Sequence, residues 1–145
     1  MSDGADVVRG FMQALGKGDF AEARTFLKDQ FSFKGPFDSF DRAEPYIEAL
    51  KRLYPIVDSV DMKKIFTDGN DTCVLYDMAT KTVGTALIAE WYRVEGGKIA
   101  SIRAVFDARP FAAMFAPVDS TLKARGEDGA AASVRGITIK PRKEL

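Results

Sequence analysis

A chain of 145 residues, 46% hydrophobic and 29% charged, is long enough for one domain with a proper core and has the composition of a soluble globular protein. Lysine plus arginine and aspartate plus glutamate number 21 each, so no net charge draws the chain to nucleic acid or to an anionic membrane. There is no histidine, which removes the commonest general base and most zinc and iron sites. Carboxylates, tyrosine, lysine or water are left for any proton transfer, and neither a metal nor a cofactor is expected.

Residues 1–5 are small and polar, unlike a secretory leader, and no apolar run is long enough to span a bilayer. The single cysteine, Cys73, excludes an internal disulfide and points to a reducing, cytoplasmic setting. Val7, Val8, Phe11, Met12 and Leu15 recur at helical spacing and predict a first helix over 6–15, stopped by Gly16 and Gly18. Asp19 with Glu22 reads as a capping box for a short second helix carrying Phe20, Ala23, Phe26 and Leu27. A brief strand over 31–34 is broken at Gly35-Pro36. Asp41 with Glu44 repeats the capping signature for a third helix, whose buried stripe is Tyr46, Ile47, Leu50, Leu53 and Tyr54.

After Pro55 the period changes from helical to alternating. Strands are predicted over 62–67 and 72–79, joined at Asp68-Gly69-Asn70-Asp71. Lys63 and Lys64 read as solvated, Cys73 as inert core, and the facing of Asp77 stays open. Next comes GTALIAEWYRVEGGKIASIRAVFD, two apolar runs around Glu95-Gly96-Gly97-Lys98, the pattern of a long hairpin. A three-residue loop with Gly97 left-handed is expected, pairing Val94 with Lys98, Glu90 with Ile102 and Ile88 with Ala104. It gathers Ile88, Glu90, Tyr92, Ile102, Ala104 and Phe106 on one face, and Leu87, Ala89, Trp91, Arg103 and Val105 on the other. A two-residue turn at Gly96-Gly97 would shift one strand by a residue and set Glu90 opposite Arg103. Asp107 reads as the cap of a short helix through Arg109 and Phe111. Helices first and a sheet after mean an α+β domain with helices on one sheet face. It covers 1–116. The extension 117–145 is either a flexible tail or one extra strand over 134–140.

The segments GKGDFAEA, FKGPF and RVEGGKIASIRAVFD, in this order of elements, resemble the nuclear-transport-factor-2-like, or SnoaL-like, superfamily. The resemblance implies a cone: three helices on a curved antiparallel sheet, with an internal pocket. The superfamily includes isomerases, epoxide hydrolases, cyclases, dehydratases and proteins without catalysis, so fold membership alone carries little function. The ketosteroid-isomerase positions fall on Phe11 in place of a tyrosine, Gly35 in place of the proton-shuttling aspartate, and Glu90 in place of the second oxyanion donor. The water-activating aspartate of limonene-epoxide hydrolases falls on Ala104, and the histidine of dehydratases has no counterpart.

Glu90 is therefore the candidate acid, with Tyr46 and Tyr54, eight residues apart near one helix face, as candidate partners. Phe11, Phe33, Phe37, Ile88, Tyr92, Ile102, Ala104 and Phe106 are the candidate pocket residues. In an apolar pocket desolvation raises the Glu90 pKa and fits it to donate a hydrogen bond or to act as acid or base. The competing reading pairs Glu90 with Arg103 or with a tyrosine as plain structure. Binding of a small apolar or aromatic, oxygen-bearing molecule is expected, with weak acid–base catalysis left open. The alternative is a non-catalytic dimerisation or scaffolding module with the cone filled by phenylalanines. In either case a homodimer through the outer sheet face is expected, since Leu87, Ala89, Trp91 and Val105 would otherwise leave an apolar patch bare.

Overall fold

The computed structural model describes residues 4–115 and, beyond them, 133–134 and 137–138; the rest of the 117–145 extension lies outside the described residues. Three helices come first: α1 (Gly4–Gly16), α2 (Phe20–Thr25) and α3 (Ala43–Leu53). Between the second and third lie β1 (Leu27–Lys34) and the two-residue β2 (Ser39–Phe40). Four long strands follow: β3 (Val57–Asp68), β4 (Asp71–Thr80), β5 (Gly84–Glu95) and β6 (Lys98–Val105). They form one curved six-stranded sheet in the order β2-β1-β6-β5-β4-β3. A short α4 (Ala112–Phe115) follows a turn of 3₁₀ helix. The pairs β7 (Ser133–Val134) and β8 (Ile137–Thr138) make an antiparallel two-stranded sheet of their own. Among the described residues no helix is long and apolar enough to cross a membrane.

The α+β architecture is the one expected, with one junction that departs from an antiparallel sheet. β1 runs parallel to β6, pairing Phe33 with Ile102 and Lys34 with Arg103. A parallel neighbour needs a long crossover, which α3 and the β3–β5 meander supply here. That junction also corrects the second helix. Leu27 leaves the helical stripe and opens β1, buried opposite Ile99, whose N–H donates to the Phe26 carbonyl at 2.8 Å. Tertiary pairing thus overrides a locally helical pattern.

Helix caps divide in the same way. Asp19 caps α2 as expected, its Oδ1 accepting from the Glu22 N–H at 3.0 Å. Asp41 does not cap α3: the N-cap is Arg42, without a side-chain bond. Glu44 is instead drawn to Arg24, whose Nε donates to its Oε2 at 2.8 Å, and Arg24 also donates to the Leu27 carbonyl. The guanidinium ties α2, α3 and β1 together. The core lies between the helices and the concave sheet face, with Val7, Val8, Phe11 and Ala14 of α1 against Val74, Ile88, Tyr92 and Ile102. Gly10 lets α1 approach closely, because a Cβ there would lie 2.7 Å from the Phe26 ring.

The β5–β6 hairpin corrects both predicted registers. Its turn has two residues, Gly96 and Gly97, at φ 59° and 78°, closed by Glu95 paired with Lys98. Positive φ at both central positions is the primed turn that matches strand twist. Val94 pairs with Ile99, but Arg93 pairs with Ser101, so Ala100 is an extra, bulged residue. Beyond it Tyr92 pairs with Ile102 and Glu90 with Ala104. The turn alone would have set Glu90 opposite Arg103; the bulge restores the parity. Ile88, Glu90, Tyr92, Ile102 and Ala104 consequently share the concave face, as expected, though with different partners. Further register shifts in β1 and β3 add to the bending of the sheet.

Replacing Gly97 by alanine forces a Cβ into a left-handed position and should cost about 1 kcal/mol. A urea titration should show a lower midpoint with an unchanged slope. An unmoved midpoint would mean that the turn does not use that conformation.

Candidate functional site

Alternation along β5 buries Ile88, Glu90, Tyr92 and Val94 and exposes Leu87 and Trp91. Glu90 is 8% exposed, and its neighbours across the sheet are Val74 on β4 and Ala104 on β6. Neither carries a charge, so no cation sits beside the carboxyl in the ladder. The partner is instead two residues along the same strand face: the Tyr92 hydroxyl donates to Glu90 Oε1 at 2.6 Å. Tyr76, diagonal to Glu90 on β4, brings a second phenol to the carboxyl. A third, Tyr46 of α3, stacks on Phe33 with ring centroids 4.8 Å apart and lies within reach of the Glu90 charge.

Burial pushes the Glu90 carboxyl above the usual carboxylate range, and hydrogen bonds from Tyr92 and then Tyr76 offset part of that rise. Burial also lifts Tyr46, Tyr76 and Tyr92 well above an ordinary phenol, and the Glu90 charge lifts them further. The three phenols therefore remain protonated donors. Glu90 can accept from them or from a ligand hydroxyl when ionised, and donate to a ligand oxygen when protonated.

This cluster forms the floor of a cleft of about 860 Å³ between α1, α3 and strands β3 to β5. Its walls are mainly Met12, Leu15, Leu50, Leu53, Met62 and Met78, flexible thioethers among branched aliphatics. Glu90, Tyr46 and Tyr54 all line the cleft, but the structure brings only Tyr46 to the carboxyl. Tyr54 is half exposed at the rim, its ring edge-on to Phe20 at 5.5 Å. Of the candidate pocket residues Tyr92 lines this cleft. Phe33 and Ile102 line a separate groove of about 500 Å³ beside β1, β2 and β6. Phe11 is fully buried with its ring edge-on to Tyr92, and Phe37, Phe106 and Phe111 pack in one aromatic row. Ile88 and Ala104 are buried in the sheet face. The cone is thus filled by phenylalanine towards the β1–β6 end and open towards α3 and β3.

Sequence reasoning missed Tyr76 and the methionine wall. The signal was present for Tyr76, which alternates in phase with buried Val74 and with Met78. Cys73 is not core: it is half-buried on the outer face, paired with Trp91 and Phe66. Asp77 also faces outward, opposite Asp61 and within 3.8 Å of Lys63, which reaches Asp61 at 2.8 Å. Asp107 is not the N-cap of the last turn, which is Ala108; it sits one residue earlier, where its Oδ1 accepts from the Arg109 N–H at 3.1 Å. Among the described residues no three His, Cys, Asp or Glu side chains gather as a metal site.

The sequence profile of the SnoaL-like domain family matches residues 8–102. Among functionally curated proteins no match is found. A nuclear-transport-factor-2-like protein of unknown function from Cytophaga hutchinsonii is similar in structure, with 29% identity, 77% of this chain and 96% of that one covered, and a TM-score of 0.70. A limonene-epoxide-hydrolase-like epoxide hydrolase of Mycobacterium tuberculosis is 20% identical, with 72% and 83% covered and a TM-score of 0.63. A ketosteroid isomerase homologue from Kribbella flavida is 13% identical, with 70% and 76% covered and a TM-score of 0.63. At such identities the last two show a shared fold alone.

Glu90 provides a pH test. A carboxyl whose folded pKa is raised stabilises the fold fully below its unfolded value, near 4.3, and that stability is lost as pH rises through the folded pKa. The groups facing it are Tyr46, Tyr76 and Tyr92, all neutral over this range. Glu90→Gln keeps an acceptor for Tyr92 and removes the titration. Melts at pH 5 and pH 8 should show the wild type losing ground on the variant at the higher pH, where the variant is equally or slightly more stable. A variant clearly less stable at pH 8 would mean that the phenol hydrogen bonds outweigh desolvation.

Proposed function

Because this chain belongs to the SnoaL-like family, we propose that its cleft binds a small, largely apolar molecule, cyclic or aromatic, whose oxygen seats against Glu90 and Tyr92. The observation that carries this reading is a buried carboxyl bonded to the Tyr92 phenol at the floor of an open cleft with apolar walls. Such a floor orients a ligand by hydrogen bonds, while the walls supply the driving force through burial. The pairing with tyrosine alone fits plain structure; the space of ligand size beside it is what favours binding.

Binding is favoured over turnover. Enolisation or water activation needs a base across the ligand from the donor. The other carboxylate lining the cleft is Asp58, held by Lys81 at 3.1 Å near the mouth. Phe11, Gly35 and Ala104, which stand where related enzymes carry working groups, supply none. Acid–base chemistry at Glu90 is the catalytic form of the same reading, and exchange of ligand α-protons with deuterated solvent would reveal it.

Leu50→Trp should narrow the cleft and weaken binding of planar phenols and enones in calorimetric titrations. Glu90→Gln and Tyr92→Phe should each weaken binding about tenfold, the worth of one hydrogen bond at a charged group. Undiminished binding to Leu50→Trp would place the ligand elsewhere.

A second observation favours an assembly role beside this one. Leu87, Trp91 and Val105 are 58, 51 and 67% exposed on the convex sheet face, with Phe66 nearby at 53%. We propose that two copies pair through this face, since a patch of this kind is rarely left bare. Sedimentation should find a dimer at micromolar concentration, and Leu87→Glu should turn it into a monomer with an unchanged far-ultraviolet spectrum. A monomeric wild type would remove this proposal and leave the cleft reading standing.

A further inference from the structure

The mouth of the cleft differs chemically from its floor. Arg9 and Gln13 of α1 line it, with Asp58 and Ser59 of β3 and Lys81. The Lys81 ammonium is engaged twice, 3.1 Å from Asp58 Oδ1 and donating to the Pro55 carbonyl at 3.2 Å. That ion pair leaves Asp58 and Lys81 matched to each other. Arg9 is held far more loosely. Its one ion pair among the described residues is with Asp6 on the preceding turn, at 3.7 Å, with side chains 51 and 64% exposed. A separation of that length is an electrostatic contact and not a hydrogen bond. A planar guanidinium with five donors thus borders a cleft whose other mouth charges are matched to each other.

Resting on the reading of this cleft as a ligand site, we propose that the ligand is an amphipathic acid: an apolar body along the methionine and leucine wall, a neutral oxygen at Glu90 and Tyr92, and a carboxylate at Arg9. A monoanion suits the mouth better than a phosphate, because one cation is held only by a loose, exposed ion pair and Asp58 would repel a second negative charge. The guanidinium fork fits a carboxylate with two parallel hydrogen bonds. Arg9 is then a specificity residue, selecting acids over the neutral molecules that the floor and walls would accept equally well.

The experiment compares 2-naphthol with 6-hydroxy-2-naphthoate, two fluorescent probes of one shape that differ by the carboxylate. Each is titrated into the wild type, Arg9→Gln and Arg9→Lys at physiological ionic strength. The carboxylate should tighten binding to the wild type about fivefold, the worth of a half-exposed ion pair. Arg9→Gln should erase that gain, leave 2-naphthol unchanged and leave the melting temperature unchanged, since the side chain is exposed and supports no packing. Arg9→Lys should keep part of the gain, as a point charge without the fork. A wild type that binds 2-naphthol with no gain from the carboxylate, or a gain that survives Arg9→Gln, overturns the inference alone. Failure of both probes to bind at millimolar concentration overturns the cleft reading and this inference with it.

Discussion

The facing of one strand is the constraint on which the rest of this structure depends. Side chains on β5 alternate, so a one-residue slip would exchange Glu90 and Tyr92 for Trp91 and Arg93 on the concave face. The Gly96-Gly97 turn and the Ala100 bulge would each cause such a slip alone. Together they cancel. Hydrophobic burial supplies the reason: with this parity Ile88, Tyr92, Val94, Ile99 and Ile102 all enter the core. The slipped alternative would send Trp91 and Arg93 inward, and a buried guanidinium without a partner is costly.

The same parity explains why the carboxyl is tuned by phenols and not by a cation. Arg103 pairs with Trp91 and points outward, while Val74 and Ala104 flank Glu90. A buried arginine partner would hold the glutamate ionised and inert. Phenols satisfy the carboxyl oxygens without neutralising them, so desolvation keeps its influence. A group poised in this way can exchange its tyrosine partner for a ligand oxygen at little cost, because one hydrogen bond replaces another.

The cone is uneven, and its unevenness separates packing from recognition. At the β1–β6 end, Tyr46 is in ring contact with Phe31, Phe33 and Phe40, and Phe37, Phe106 and Phe111 form a second aromatic group. Towards β3 the lining is methionine and leucine, and the space stays open. The aromatic stack holds Tyr46 in place, which in turn backs the carboxyl. Rigid aromatics therefore support the polar floor, while adaptable side chains line the open space. Such a division suits a fold whose relatives serve many chemistries on one scaffold.

Local pattern was enough for the order of the main elements, the helical stripe of α1, the Tyr46-Ile47 part of the stripe of α3, the Asp19 cap and the long hairpin, because period and turn chemistry are properties of neighbouring residues. It was also enough to single out Glu90, the only acid on an otherwise apolar strand face. It was not enough for the hairpin register, since a bulge is selected by the packing of both strands at once and leaves no mark in either. Nor could it reveal that Leu27 begins a strand, that Glu44 belongs to Arg24 and not to a capping box, or that the phenylalanines fill the cone while methionines line the space. Those outcomes depend on residues far apart in the chain: Ile99 beside Leu27, Arg24 beside Glu44, Tyr76 beside Glu90. The residue types that bear the chemistry were thus written in the sequence. Which of them meet, and around what space, was decided only when the sheet curved and the helices closed over it.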